Sequence, residues 1–189
     1  MTGGAHVCGP ADYALECVAA YVIGHRAPEP PADEFYLRRA ACFVTLKKRG
    51  ELRGCIGTLE PAEPSLGREI ARNAHSSALR DPRFPPVAQD EFETLTCSVD
   101  VLSPSEPCTP ADLDSRVYGV IVEAGVRRGV LLPALEGIDT VEAQVDIALQ
   151  KAGIGPGQSY DVRRFLVTRY RQGDPPVPEE ERAGELVDD

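Results

Sequence analysis

The sequence predicts an α+β protein with a mainly antiparallel sheet and flanking helices. Three observations carry this. ACFVTLKKRGELRGCIGTL and VYGVIVEAGVRRGVLLPAL each read as two strands joined by a tight, glycine-containing turn. TLTCSVDVLS alternates apolar and polar residues, the pattern of a half-buried strand. Helical stretches lie among these strands without the regular strand–helix–strand alternation that a parallel sheet needs.

In chain order, ADYALECVAAYVIGH at 11–25 sets Leu15, Val18, Ala19 and Val22 at helical spacing, with Pro10 before the run and Gly24 ending it. The first hairpin follows. Taking Lys48-Arg49-Gly50 as a three-residue loop sets Lys47 opposite Glu51, Leu46 opposite Leu52, Val44 opposite Gly54 and Cys42 opposite Ile56. One face is then apolar, and a buried face fixes register. Thr45 faces Arg53 and Phe43 faces Cys55 on the other side, so Arg53 and Cys55 are expected to point the same way. Pro64 and Ser65 open a second helix, with Leu66, Ile70, Ala74 and Ala78 along one side. ALRDPRFPP ends it, because Pro82 and Pro85-Pro86 cannot continue a helix. In the next strand Leu95, Cys97, Val99 and Val101 form the buried set. The second hairpin turns near Ala124-Gly125. DTVEAQVDIALQKAG reads as a helix with Asp139 and Glu142 as a capping box and Gly153 at its stop. DVRRFLVTRY is the last strand.

Composition bounds the function. With 42% hydrophobic and 26% charged residues, the 189-residue chain is of globular type. No stretch approaches the ~20 apolar residues of a membrane span. The first residues lack a basic n-region followed by an apolar core, so a cytoplasmic protein is expected. Six cysteines without a CxxC pair, and three scattered histidines, give no metal-ligand spacing, and no cofactor is called for. The net charge is −10, of which residues 173–189 carry −6. Those residues read as an acidic, Pro/Glu-rich mobile tail after a single domain over 1–172. An acidic body argues against nucleic-acid binding.

The candidate chemistry centres on LRGCIG. Cys55 is a candidate thiol nucleophile, and Arg53 on the same face would favour its thiolate. Gly54 and Gly57 would let a substrate or another backbone come close. The competing reading is a small residue in a crowded hairpin. Asn73 and His75 near a helix end, with Asp81, Arg83 and Phe84 in the next loop, form a polar cluster with one aromatic. Arg127 and Arg128 can grip a carboxylate or phosphate, or pair with nearby acids. Cys17, Cys42 and Cys97 fall on or beside apolar faces, and Cys8 and Cys108 in loops.

Several ordered stretches resemble one family, the AMMECR domain family. They are FVTLKKRGELRGCIGTLEP, NAHSSALRDPRFPPV, TCSVDVLSPSEP, VRRGVLLP and QKAGI, and the resemblance as a whole spans roughly residues 11 to 170. The family usually carries a tryptophan before its late helix and a cysteine within it. This chain has no tryptophan, and GIDTVEAQVDIALQKAGI has no cysteine. The resemblance implies an α+β fold of two unequal subdomains with a cleft between them. It also implies a place as protein A of the AmmeMemoRadiSam system, beside a Memo-like protein of the extradiol-dioxygenase fold and a radical SAM enzyme. No settled activity comes with it. Two functions follow: an accessory, protein-binding component of a modification system, or a thiol-dependent enzyme or carrier using Cys55.

Overall fold

The structure, a computed structural model, describes residues 8–174. In chain order its helices are α1 (Pro10–Val22), α2 (Glu34–Leu37), α3 (Leu66–Leu79) and α4 (Val141–Ala152). Its strands are β1 (Cys42–Lys48), β2 (Glu51–Gly57), β3 (Leu95–Leu102), β4 (Glu106–Pro107), β5 (Tyr118–Ala124), β6 (Arg127–Leu131) and β7 (Asp161–Arg171). The α+β class with antiparallel pairing and flanking helices is as expected. The short α2 and β4 had no periodicity to announce them. The chain divides into two unequal units, one running to Val101 and resuming at Arg169, the other Leu102–Thr168. Except for Gly173 and Asp174, the expected acidic tail lies outside the described residues. No helix among the described residues is long and apolar enough to cross a membrane.

In the first unit β1 lies between β2 and β3, both antiparallel to it. Helices α1 and α3 cover one face. Ala14, Cys17 and Val18 of α1 and Ile70, Ala74 and Ala78 of α3 are buried with Val44, Leu46, Cys97 and Val99 of the strands. Leu95, Cys97, Val99 and Val101 of β3 are buried as expected, and Asp100 and Leu102 are buried too. Ser65 caps α3 by accepting from the Arg68 amide at 3.4 Å.

The hairpin register differs from the expected one. Arg49 and Gly50 both have positive φ, 52° and 89°, which makes a two-residue turn with Lys48 opposite Glu51 and Lys47 opposite Leu52. Continued regularly, this register would mix the faces. A bulge at Arg53 corrects it, and Leu46 then pairs with Gly54, Thr45 with Cys55 and Val44 with Ile56. The apolar face is preserved except at Leu52, which is 42% exposed. Cys55 does lie on the opposite face. Arg53, the bulged residue, donates to Glu91, the same carboxylate that Lys48 reaches.

In the second unit β5 lies between β6 and β7, and β4 pairs with β7 at Glu106 and Arg164. Val120, Val122, Leu131, Val145, Ala148, Ile154 and Val162 form its own core under α4. The hairpin turns at Gly125, φ 61°, as expected. The cap of α4 is Thr140, not Asp139: its hydroxyl accepts from the Ala143 amide at 3.1 Å. Gly153 closes the helix in the left-handed conformation, φ 65°.

Candidate functional site

The LRGCIG strand and the DPRF loop meet at the outer edge of β2. The Cys55 amide donates to Asp81 Oδ2 at 2.9 Å, and Arg83 Nη2 donates to the Cys55 carbonyl at 3.1 Å. The unpaired edge of the strand is thereby covered. Asp81 is buried and also accepts from Arg83 Nε at 2.9 Å, Nη2 at 2.6 Å and the Arg83 amide at 3.1 Å. These bonds, the Arg83 side chain first, hold its carboxyl well below the usual range against the opposing effect of burial. The Phe84 ring lies beside both the Arg83 and the Arg53 guanidinium, 5.5 and 5.9 Å from its centroid.

Arg53 serves a different carboxylate. Its Nε and Nη2 donate to Glu91 at 3.0 and 2.9 Å, and Lys48 Nζ reaches the same group at 2.8 Å. The bonds from Arg53, then those from Lys48 and the Ala88 amide, pull the Glu91 carboxyl down to about 2 although burial opposes this. The expected pairing of Arg53 with the Cys55 thiol is therefore not what the geometry provides.

The Cys55 thiol is half-buried, 3.2 Å from Thr45 Oγ1 across the hairpin. Asp100, buried on the same face of β3, is clasped by Arg169 at 2.6 and 2.7 Å. Alongside runs a groove of about 980 Å³, within the first unit, walled by Thr45, Lys47, Thr96, Ser98, Arg169 and Arg171. The other cysteines on apolar faces are interior: burial pushes the Cys17 and Cys42 thiols up to about 12, and Cys97 higher still.

The remaining candidates have different places. A Cβ on Gly54 would lie 2.2 Å from the Ser77 carbonyl oxygen, and one on Gly57 would lie 2.3 Å from the Phe43 ring. The close neighbour at Gly54 is thus the backbone of α3. Asn73 is buried, and its amide donates to the Cys42 carbonyl at 2.9 Å and to Glu69 at 3.4 Å. Glu69, with no exposed surface, also accepts from Thr58 Oγ1 at 2.5 Å and from the Ala62 and Glu63 amides at 2.8 and 2.7 Å. It ties the loop after β2 to α3. His75 stacks edge-on against Tyr21, 4.8 Å between centroids, away from Cys55 on the helix-covered side. Arg127 and Arg128 belong to the second unit. Arg127 Nη1 donates to the Gly153 carbonyl at 2.8 Å, and Arg128 lies 3.0 Å from Glu123, its cross-strand partner. A Cβ on Gly129 would lie 1.9 Å from the Ala148 carbonyl, so the RRG segment seats α4 on β6.

The family model AMMECR1 matches residues 11–173. The chain belongs to the AMMECR1 family. It is 47% identical over 165 residues to a protein of Thermotoga maritima, covering 84% of this chain and 95% of that one. It is 46% identical over 145 residues to a protein of Clostridium acetobutylicum, covering 77% of this chain but 31% of the relative. This chain therefore spans about a third of that relative's length. Among solved structures it is similar to an uncharacterized protein of Pyrococcus horikoshii, with a TM-score of 0.77 and 30% identity over 89% of this chain and 92% of that one. In this AMMECR1-family chain the LRGCIG, DPRF and RRG stretches all have defined packing partners. Glu91 and Arg169 lie outside the stretches that carry the resemblance, and Thr45 and Ser77 lie inside two of them without any local mark of the contacts they make.

Proposed function

We propose that this AMMECR1-family protein is an accessory, protein-binding component of a modification system, working with a Memo-like protein of the extradiol-dioxygenase fold and a radical SAM enzyme. The observation that carries the reading is the state of the groups around Cys55. Asp81 is spent on Arg83 and the Cys55 amide, and Glu91 on Arg53 and Lys48. Such mutual engagement makes a pre-organised surface, and a partner docks on it without a large ordering cost. Beside it, Lys47 and Arg171 reach outward from the groove wall and supply charge for a complementary partner face. The Clostridium acetobutylicum relative, in which the matched region is 31% of the whole, agrees with a module that works next to another protein body.

The test is co-expression with a Memo-like protein and a radical SAM enzyme, read by size-exclusion chromatography with light scattering. A stoichiometric complex is expected, weakened about tenfold by Lys47→Glu with Arg171→Glu and unaffected by Cys55→Ser. If all three proteins elute separately at low salt, the reading fails.

A second reading has its own observation. The Cys55 thiol is half-buried and bonded to a hydroxyl, and Arg83 donates to the carbonyl of the same residue. A working thiol, as enzyme or carrier, has this setting. A covalent adduct on Cys55 in native mass spectra, lost in Cys55→Ser, would establish it.

A further inference from the structure

The first unit has a second groove, of about 600 Å³, on its helical side, between α1, α3 and the segment 26–30. Four exposed arginines line it, Arg26, Arg68, Arg72 and Arg80, against two acids, Glu29 and Glu63. The chain as a whole has a net charge of −10, so this is a local reversal of sign. Arg72 has a loose partner in Glu63, 3.8 Å away. Arg26, Arg68 and Arg80 form no ion pair with a described acid. Arg68 and Arg72 are also four residues apart on α3, where like charges repel and weaken a helix. Tyr21 and His75, stacked edge-on, give the groove an aromatic floor. Burial and the nearby Arg80 charge hold the His75 imidazole below its ordinary value.

The spacing of the arginines selects the shape of the occupant. Along α3, Arg72 lies about 6 Å beyond Arg68, and Arg80 about 12 Å beyond Arg72, at 1.5 Å per residue. A compact anion reaches only part of such a stripe. An extended peptide rises about 3.3 Å per residue, so acids at its positions one, three and seven recur after about 6.6 and 13 Å. Its fifth position then faces the uncharged Ser76. Alternate side chains of the same peptide point the other way. There the opposite wall offers Ala27, Pro28 and Pro30, which suit apolar residues. A nucleic-acid strand fits less well. It is charged at every step, and it would meet Glu29 and Glu63 as well as the repulsion of an acidic protein.

We propose that the arginine groove between α1 and α3 docks an extended segment of a partner protein in which acidic residues alternate with apolar ones. The charge complementarity of the stripe and the apolar opposite wall name this partner. The groove is distinct from the face beside Cys55, and the proposal does not rest on the reading of that face.

Fluorescence anisotropy of a labelled peptide, Glu-Val-Glu-Val-Ser-Val-Glu, titrated with the full chain tests it. Saturable binding is expected at about 20 mM salt, where charges act across roughly 20 Å, and it should be lost in about 0.5 M salt. Arg68→Glu with Arg80→Glu should weaken it roughly tenfold, the order of two exposed pairs lost and reversed. Arg26→Glu, on the opposite wall, should weaken it about threefold and leaves α3 untouched, so a loss there is not a loss of the helix. Arg116→Glu with Lys151→Glu removes two exposed cations of the second unit and changes the net charge as much as the α3 pair does. Binding to that variant should stay within about twofold of the wild type. In the nuclear magnetic resonance spectrum of the wild type, the His75 ring signals should move as the peptide is added. Absence of saturable binding overturns the proposal. So does an equal loss in the Arg116 and Lys151 variant, which would reduce the effect to net charge. Tighter binding of a single-stranded oligothymidylate of the same charge, competing with the peptide, also overturns it and would assign the groove to nucleic acid.

Discussion

Gly54 is a glycine because the Ser77 carbonyl occupies the space of a side chain, 2.2 Å from where a Cβ would stand. That atom is backbone on a packed helix and cannot swing aside. Gly54→Ala is therefore expected to cost about 3 kcal/mol, the upper part of the range for overpacking. Gly50 provides the contrast. Its φ of 89° strains any side chain, but nothing lies within 4 Å. Gly50→Ala is expected to cost about 1 kcal/mol. Urea denaturation of the two variants checks the ranking, and a smaller loss at Gly54 than at Gly50 refutes the close-approach account. The sequence of LRGCIG shows that something comes near its glycines. It does not show what, because Ser77 is distant in the chain and nothing local marks it as the neighbour. The same holds for Arg53, whose partner Glu91 lies 38 residues away.

The β1–β2 hairpin shows how an element can keep its faces and change its register. The expected and observed pairings differ by two residues at Val44 and Leu46, and a two-residue slip returns every side chain to the same face. Alternation could therefore place Cys55 opposite the core but could not choose the register. That choice depends on Arg49 accepting a left-handed conformation and on the bulge at Arg53, neither of which the hydrophobic pattern encodes. Helix α3 contributes as well. The Ile56 amide donates to Ser77 Oγ at 2.9 Å, and that hydroxyl donates to the Val44 carbonyl at 2.7 Å. One side chain thus bridges two groups of facing strands. Ser77→Ala removes both of these bonds beside the ladder pairing of Val44 with Ile56, and a loss of about 1 kcal/mol is expected. Amide exchange in the native state is the sharper measurement. The Ile56 amide should exchange at least tenfold faster than in the wild type relative to amides elsewhere in the first unit. Unchanged relative protection at Ile56 would mean that the strands hold each other without the hydroxyl.

At the scale of the molecule, fold class and family were legible because both rest on local signals: two turns, one clean alternation and a series of short motifs. The ion pairs that join these elements were not, since each links distant segments and surface composition cannot say which acid meets which arginine. Those pairs set the response of the fold to acid. In the first unit the Glu91 carboxyl is held at about 2 instead of its ordinary 4.5, and the Asp81 carboxyl is depressed as well. Both shifts are downward. Between these values the unfolded chain binds more protons than the folded one, so stability is fully present above about pH 4.5 and is lost as pH falls toward 2. Glu91→Gln removes one of the two groups and leaves Arg53, with a side chain only 11% exposed, lacking its counter-charge. At pH 7 the variant is expected to be less stable than the wild type by about 2 kcal/mol. The gap should close as pH falls through that window, because acid takes the same charge from the wild type. Denaturation midpoints at pH 7, 5, 4 and 3 measure it. A gap of constant size down to pH 3 would place the role of Glu91 in packing, not in its charge. A closing gap would show that the clasp on the bulged Arg53, and with it the seating of the LRGCIG strand, is electrostatic.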